Sequence, residues 1–272
     1  MSTPMEIGQN NMTKPASNNK IDLNSNNRLS VQVSLNGLSF FIRDEESGTS
    51  LFEKQIDFEE TLNPDGVLNE IESAYNQFEE LQLPLKEVTV IHQNTLFSLV
   101  PKALFKEDNL EEYLKFNSRL LATDYVAFDS PDAHEFVIVY VPLTNVNNYF
   151  FDTYGSFTFL HSSTVFIEKI LSEERNDNSL KMFMKLYKNQ MDVLVTSGKQ
   201  IQLFNSFTHS TPEDFIYYIL FIAEQLQLNP ETFQLQLSGC ISKDDSFYDI
   251  AYKYIRNVSL ENQDKPNSLH II

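Results

Sequence analysis

TPEDFIYYILFIAEQLQLNPETFQLQLSG, from Thr211 to Gly239, combines a helix that has marked ends with a strand. Thr211 is suited to the N-cap, and Pro212 is suited to the first helical position because it has no N–H to leave unpaired. Pro230 predicts the end of the helix, since the residue before a proline is pushed out of the helical region. Apolar residues then alternate with glutamine over 233–237, which predicts a half-buried strand.

An earlier part of the chain repeats this order of elements. Three predicted strands beginning at Leu29 precede a helix opened by Pro64 and then a strand over 88–91. Three strands beginning at Leu180 precede the Pro212 helix in the same order. The offset between the two halves drifts only from about 151 to about 146 residues, so we predict that one α/β lobe occurs twice.

The repeat also predicts the domain organisation. Residues 1–27 are polar and asparagine-rich, and we expect them to form a disordered N-terminal tail. The first lobe is predicted over 28–175, with an inserted α+β section at about 95–155. The second lobe is predicted over 176–260, and 261–272 form a C-terminal tail.

Charge and hydrophobicity exclude several classes of function. The 38 acidic residues outnumber the 20 basic ones and give a net charge of −18, which argues against binding to nucleic acid or to anionic membranes. The acidity is consistent either with a basic protein partner or with solubility alone. The apolar run from Phe215 to Ala223 is much shorter than the roughly 20 residues of a membrane span, so we predict a buried core helix.

Cysteine usage indicates the compartment. Cys240 is the only cysteine, so no intrachain disulfide can form, and the N-terminus lacks the apolar core of a signal peptide. Both features are typical of a reducing compartment, and we expect a soluble, cytoplasmic protein. Cys240 follows a predicted strand, where a buried structural thiol is favoured over a nucleophile.

The chain repeats one order of elements: three antiparallel strands, a helix, a strand and a helix. This repeat resembles the duplicated ribonuclease H-like fold of the actin-like ATPase superfamily. This superfamily includes actin, sugar kinases, heat-shock chaperones and bacterial pilus-assembly and division proteins. The segment LVPKALF (Leu99–Phe105), followed by EEYLKFN (Glu111–Asn117), resembles an uncharacterised bacterial family of this architecture with no established activity. We therefore expect a mixed α/β, two-lobed fold with an insertion in the first half.

The resemblance implies where a nucleotide would lie: between the lobes, with its phosphates at the first hairpin turn of each half. Backbone amides and a carboxylate that organises Mg²⁺ are needed there. The first turn keeps Asn36-Gly37 but has no aspartate, and the second, at Lys188-Asn189, has neither glycine nor aspartate. The adenosine-side glycine pair of the superfamily is reduced to Gly239. These five residues are the candidate nucleotide-binding positions, and ordinary turns are the alternative interpretation of them.

Other catalytic and metal-binding patterns are missing from the sequence. No His-Glu-x-x-His, Cys-x-x-Cys, Gly-x-Ser-x-Gly or Gly-x-x-x-x-Gly-Lys motif occurs, and the first strand of each half carries no nuclease-type carboxylate. We therefore predict no metal site and no catalytic residue.

Three hypotheses stay open at this point. The first is a non-catalytic, degenerate module that works through contacts with another protein of unknown identity. The second is an active ATPase or small-molecule kinase with divergent phosphate loops, which would need ATP and Mg²⁺. The third is a scaffold of a pilus- or division-type assembly. The oligomeric state is left open by all three.

Overall fold

The computed structural model describes residues 11–13, 21–115, 120–121, 124–174 and 179–261. The chain divides into two compact units, the first extending to Phe166 and the second beginning at Ile167. The division falls inside a helix that leads from one unit to the other.

The first unit contains nine strands and three helices among its described residues, and a fourth helix spans the division. Along the chain these are β1 (Asn11–Thr13), β2 (Asn27–Ser34), β3 (Gly37–Asp44), β4 (Ser50–Asp57), α1 (Pro64–Gln77), β5 (Glu87–His92), β6 (Phe97–Pro101), α2 (Leu110–Leu114), β7 (Ala127–Asp129), β8 (Phe136–Tyr140), α3 (Thr144–Tyr154), β9 (Ser156–His161) and α4 (Ser162–Glu173).

The main sheet of this unit has the order β1-β9-β5-β2-β3-β4. β2, β3 and β4 form an antiparallel meander, whereas β5 and β9 extend the sheet in parallel on the other side of β2. α1 buries Val67, Ile71 and Ala74, and its N-cap Asn63 accepts a hydrogen bond from the Gly66 N–H through Oδ1 (2.8 Å). The sheet therefore shares its core with a helix that was predicted from the sequence.

The inserted section forms a separate three-stranded antiparallel sheet of order β6-β8-β7. It has its own apolar cluster, formed by Val100, Leu114, Val137, Val139 and Val141. The LVPKALF segment supplies β6 and then a single 3₁₀ turn over Lys102–Leu104. Phe116 and Asn117 of the EEYLKFN segment lie outside the described residues.

The second unit contains five strands and two helices after α4: β10 (Leu180–Leu186), β11 (Gln190–Ser197), β12 (Gln200–Thr208), α5 (Pro212–Gln225), β13 (Gln234–Gly239), α6 (Ser246–Tyr254) and β14 (Asn257–Leu260). Its sheet has the order β12-β11-β10-β13-β14. This is the arrangement of β4-β3-β2-β5-β9 in the first unit, with the same directions and the same crossover helices. The predicted duplication is confirmed.

α5 has the N-terminus that its sequence predicts. The Thr211 hydroxyl oxygen accepts a hydrogen bond from the Asp214 N–H (3.2 Å), and Asp214 Oδ2 accepts one from the Thr211 N–H (3.1 Å). The helix buries Phe215, Ile219 and Ile222 in the core. In the part of the chain that is described, no helix is long and apolar enough to cross a membrane.

Two strands were not predicted. β1 lies within the N-terminal segment expected to be disordered, and that expectation is wrong at these residues, because β1 pairs with the open edge of β9. Such pairing uses backbone groups, so polar side chains do not prevent it. β14 is four residues long and was too short to recognise. Residues 175–178 of the expected linker and 262–272 of the C-terminal tail lie outside the described residues, and the predicted domain boundaries stay predictions.

Candidate functional site

The two predicted turns follow β2 in the first unit and β10 in the second. Each lies at the edge of its sheet where the parallel strands end. In open α/β sheets this carboxyl edge is where ligands bind. In the first unit β5 ends at His92 and β9 at His161, and these two residues are register partners. In the second unit β13 ends at Gly239, which is the register partner of Leu186 at the end of β10. We describe the two edges separately.

The first turn differs from its prediction by one residue. Its two loop residues are Leu35 and Asn36, whereas Gly37 pairs with Ser34 as the first residue of β3. Neither Asn36 nor Gly37 has a positive φ. Glycine is required for a different reason: a Cβ on Gly37 would lie 2.7 Å from the carbonyl oxygen of Ile56 on the neighbouring strand β4.

Hydrogen bonds within the chain occupy the polar groups of this first turn. The Asn36 N–H, which a phosphate would need, donates to the hydroxyl oxygen of Ser34 (3.1 Å). The Thr61 hydroxyl donates to Asn36 Oδ1 (2.7 Å), and the Phe58 N–H donates to the Asn36 carbonyl oxygen (2.9 Å). The segment after β4 is thereby tied to the turn.

One carboxylate beside the first turn was missed from the sequence. Asp57 is the register partner of Gly37, and its Oδ1 lies 3.5 Å from the position of a Cβ on Gly37. Asp57 is exposed and accepts a hydrogen bond from Gln55 Nε2 (2.9 Å). The pairing register of the predicted second and third strands would have placed it there. Within the described ranges, no group of three His, Cys, Asp or Glu residues could hold a metal ion.

A buried carboxylate, that of Asp129, lies at the start of α4. Asp129 accepts hydrogen bonds from the His161 N–H (2.8 Å), the Thr164 hydroxyl (2.5 Å) and the Tyr140 hydroxyl (3.0 Å). The pKa of Tyr140 is held well above its usual range. The main cause is burial, and the second is the negative charge of Asp129. A helix N-terminus at the carboxyl edge of a sheet attracts anions. Here Asp129 bonds the Thr164 hydroxyl in the first turn of α4, so a carboxylate of the protein itself already lies beside that end of the helix.

The two histidines at this edge are buried and neutral. His92 Nδ1 accepts a hydrogen bond from the Leu143 N–H (3.3 Å), so Nε2 carries the proton and donates to Asn147 Oδ1 (2.8 Å). His161 Nδ1 accepts from the Ser163 N–H (3.2 Å). Burial lowers the pKa of His92 to about 4 and that of His161 to about 3. Both side chains are therefore uncharged at neutral pH.

The second turn lies where the sequence predicts it, with Lys188 and Asn189 exposed between β10 and β11. The Tyr187 N–H donates to the Gln190 carbonyl oxygen (2.8 Å), which closes the turn. The Asn189 carbonyl oxygen accepts from the His209 N–H (3.1 Å). The positive charge of Lys188 attracts anions to this turn. The loop itself contains no aspartate that could organise Mg²⁺.

A buried lysine and a buried aspartate lie directly behind this second turn. Lys185 (8% exposed) and Asp192 (1% exposed) are register partners on β10 and β11. Asp192 accepts hydrogen bonds from the hydroxyls of Tyr187 (3.1 Å) and Ser206 and, more weakly, from Gln190 Nε2 (3.4 Å). Burial raises the pKa of Asp192 and lowers that of Lys185, and their mutual attraction opposes both shifts. Lys185 and Asp192 stand out in the sequence as charged residues within apolar stretches of β10 and β11, and this contrast could have indicated the pair.

Gly239 is the candidate residue with the strongest backbone requirement. Its φ is +84°, and a Cβ there would lie 2.2 Å from the Leu186 carbonyl oxygen. The same carbonyl oxygen accepts a hydrogen bond from the Cys240 N–H (2.8 Å). The structure therefore brings Gly239 to the edge that carries Lys188 and Asn189, and local packing accounts for the glycine without a ligand. Cys240 is exposed, so the expectation of a buried thiol is wrong.

Comparison with protein families identifies the chain. Residues 16–258 match DUF3822, which is described as a protein of unknown function. The chain belongs to this family. No curated protein matches it.

Solved structures show the fold of this DUF3822 member. A Bacteroides thetaiotaomicron protein with an actin-like ATPase fold and unknown function is 26% identical, with a TM-score of 0.78 over 89% of this chain and 94% of that one. The PilM-PilN type IV pilus biogenesis complex is 12% identical, with a TM-score of 0.54 over 86% of this chain and 88% of that one. The predicted actin-like fold is confirmed, and the second similarity concerns the fold alone.

Proposed function

We propose that this DUF3822 member is a non-catalytic actin-like module that acts through contacts with another protein and binds nucleotide weakly or not at all. The observation that carries the proposal is the internal pairing of polar groups at both carboxyl edges. In the first unit Asp129 accepts hydrogen bonds from the His161 N–H and the Thr164 hydroxyl. In the second unit Asp192, which lies opposite Lys185, accepts them from Tyr187 and Ser206. The carboxylates of Asp129 and Asp192, which could otherwise receive a ligand, already accept hydrogen bonds from the protein's own groups.

Nucleotide handling requires backbone amides that face phosphate and a carboxylate that organises Mg²⁺. At the first turn the Asn36 N–H is bonded to Ser34, and Gly37 is packed against β4. At the second turn the nearest carboxylate is Asp192, which is buried and accepts hydrogen bonds from Tyr187 and Ser206. Its neighbour Lys185 offers a nitrogen atom, whereas Mg²⁺ prefers oxygen ligands.

The test is isothermal titration of the full chain with Mg-ATP, together with an assay for phosphate release. We expect binding weaker than about 1 μM, or none, and no turnover. A matched titration with Asp192→Asn shows whether the buried pair suppresses binding. Clear turnover by the unmodified protein would overturn the proposal.

A protein partner is the second part of the proposal. Affinity purification of the tagged full chain from its native cell, with an untagged strain as control, should recover the same protein in independent experiments. A scaffold in a pilus- or division-type assembly would be recovered with components of that assembly. If nothing is recovered reproducibly, the partner is refuted.

Asp57 favours a second candidate function, an active ATPase or small-molecule kinase with divergent loops. It places an exposed carboxylate beside Gly37, where the superfamily resemblance puts a phosphate. This candidate predicts that Mg-ATP raises the melting temperature, and that Asn36→Ala and Asp57→Asn each abolish the rise. Glu53→Gln on the same strand is the control and should keep it. An unchanged shift in Asp57→Asn excludes this role for Asp57.

A further inference from the structure

β12 is the long, neutral edge of the second unit's sheet. Its nine residues, QIQLFNSFT, include no charged residue and no proline. An open edge presents unpaired N–H and C=O groups, and proteins normally protect such edges with charges, prolines or very short strands. The only such device on β12 is a register irregularity opposite Val195 and Thr196, near one end of the strand.

The other edges of the two larger sheets are protected. β4, the corresponding edge of the first unit, carries Glu53, Lys54 and Asp57. β14, at the opposite edge of the second unit's sheet, has four residues, and β1 has three. Among the edge strands described for these two sheets, the neutral composition of a long edge is therefore specific to β12.

An aromatic path leads from this strand onto the solvent face of α5. The rings of Phe207 and Tyr218 stack with centroids 4.3 Å apart, and Tyr217 contacts both Tyr218 (5.3 Å) and Phe221 (6.0 Å). Tyr217 is 59% exposed and Phe221 is 44% exposed. Exposed aromatic side chains that contact one another favour an interaction site more than scattered surface residues do. We call β12 together with Tyr217, Tyr218 and Phe221 the β12–α5 surface.

The composition of the edge selects the kind of partner. A chain of net charge −18 repels its own copies, so two copies can meet closely only where the contact itself is uncharged. A partner recognised by charge would need charged residues on the edge, and β12 has none. Antiparallel pairing of a strand with itself is self-complementary, because each glutamine and asparagine side chain has both a donor and an acceptor.

We propose that the β12–α5 surface binds a second copy of this chain. Two β12 strands pair antiparallel about a two-fold axis, which joins two five-stranded sheets into one and removes both open edges. The aromatic residues of the two α5 helices are then covered at the same contact. Because acidic residues such as Glu213 and Glu224 flank the aromatic face, salt should strengthen the dimer by screening their repulsion.

Sedimentation equilibrium of the full chain tests the proposal. We expect a monomer–dimer equilibrium that shifts toward dimer as NaCl is raised. Gln202→Lys/Asn205→Lys places lysines at two exposed positions of β12, where charges oppose edge-to-edge pairing, while it lowers the net negative charge of the whole chain. Tyr217→Ser/Phe221→Ser removes the exposed aromatics. Each double variant should weaken the dimer by more than about tenfold.

Tyr252→Ser is the matched control, because Tyr252 is an exposed aromatic on α6 of the same unit. It should leave the dimer constant unchanged, and thermal melts should show that all three proteins are folded. Three results would overturn the proposal: a monomer at every concentration, a dimer that neither double variant weakens, or a dimer that salt dissociates. The last result would point to pairing through charge. The proposal does not depend on whether nucleotide binds.

Discussion

At the scale of single residues, packing against backbone explains two of the candidate nucleotide-binding positions. Gly37 and Gly239 both lie where a side chain would collide with a carbonyl oxygen of the adjacent strand. Only Gly239 also has a positive φ. These glycines are therefore required by the fold whether or not a ligand binds.

Gly239→Ala should destabilise the protein by more than about 3 kcal/mol, because the new methyl group meets the Leu186 carbonyl oxygen and the positive φ adds strain. Gly48→Ala is the control. Gly48 also has a positive φ (+70°), but a Cβ there would meet only the end of the Arg43 side chain, so we expect a cost of about 1–2 kcal/mol. Urea denaturation measures both, and equal costs would contradict the steric argument.

The buried histidines should make stability depend on pH. Their folded pKa values, about 4 for His92 and about 3 for His161, lie below the unfolded value of 6.5, so the unfolded state binds more protons. Stability is then complete above pH 6.5 and falls as the pH drops below it. Each histidine contributes a slope of about 1.4 kcal/mol per pH unit.

His161→Phe tests this dependence, since the ring packs beside Phe97 and Tyr140 and phenylalanine has a similar shape. Between about pH 4.5 and 6 the slope of unfolding free energy against pH should decrease by about 1.4 kcal/mol per pH unit, whatever the change in absolute stability. Burial raises the pKa of Asp192, which acts in the opposite direction, but both proteins contain it. Urea titrations at several pH values give the slopes, and equal slopes would refute the assignment.

At the scale of elements, α5 organises the second unit. Its capping box defines the start of the helix, and Phe215, Ile219 and Ile222 enter one core with β10, β11 and β13. The nine apolar residues of its sequence are not all covered, because Tyr217 and Phe221 face solvent. The helix thus has a buried face that stabilises the unit and an exposed face that can bind a partner.

Ile222→Asp should unfold the second unit, because it buries a charge without a partner in the core, at a cost of more than about 4 kcal/mol. Gln225→Asp introduces the same charge on the exposed face of the helix and should change stability by less than about 0.5 kcal/mol. Far-UV circular dichroism and thermal melts distinguish the two. A soluble, cooperatively melting Ile222→Asp protein would show that α5 is wrongly placed.

At the scale of the whole molecule, net charge is the dominant electrostatic feature. The formal charge of −18 on 272 residues creates self-repulsion in the compact state. The ion pairs that oppose it, such as Arg28–Glu45 and Lys86–Glu45, are partly exposed and contribute little. Stability should therefore be sensitive to ionic strength.

The melting temperature should rise as NaCl is added from low to physiological ionic strength, because screening weakens repulsion over distances beyond about 8–10 Å. The measurement is a thermal melt at a protein concentration low enough to keep the chain monomeric. Repeating it with Tyr217→Ser/Phe221→Ser separates the intrinsic effect from association. A melting temperature that falls with salt would mean that attractive ion pairs dominate.

Much of the fold was predictable because the relevant signals are local. The cap at Thr211, the proline that opens α5 and the periodicity of β10–β13 depend on residues a few positions apart, and the repeated order of elements followed from them. Less of the candidate site was predictable. The two turns and Gly239 were identified, but the first turn was placed one residue too late, since the strand register decides which residues form the loop.

The sequence alone determined the elements of this protein, their duplication and the absence of known phosphate-loop and metal motifs. Only the tertiary structure decided that Asp57 lies beside Gly37, that Asp129 bonds Thr164 at the start of α4 and that Lys185 lies opposite Asp192. The tertiary structure also decided that β12 lies at an edge of its sheet. The physical reason is that helix caps and periodicity act over one or two turns of chain, whereas strand register and side-chain pairing join residues far apart in sequence.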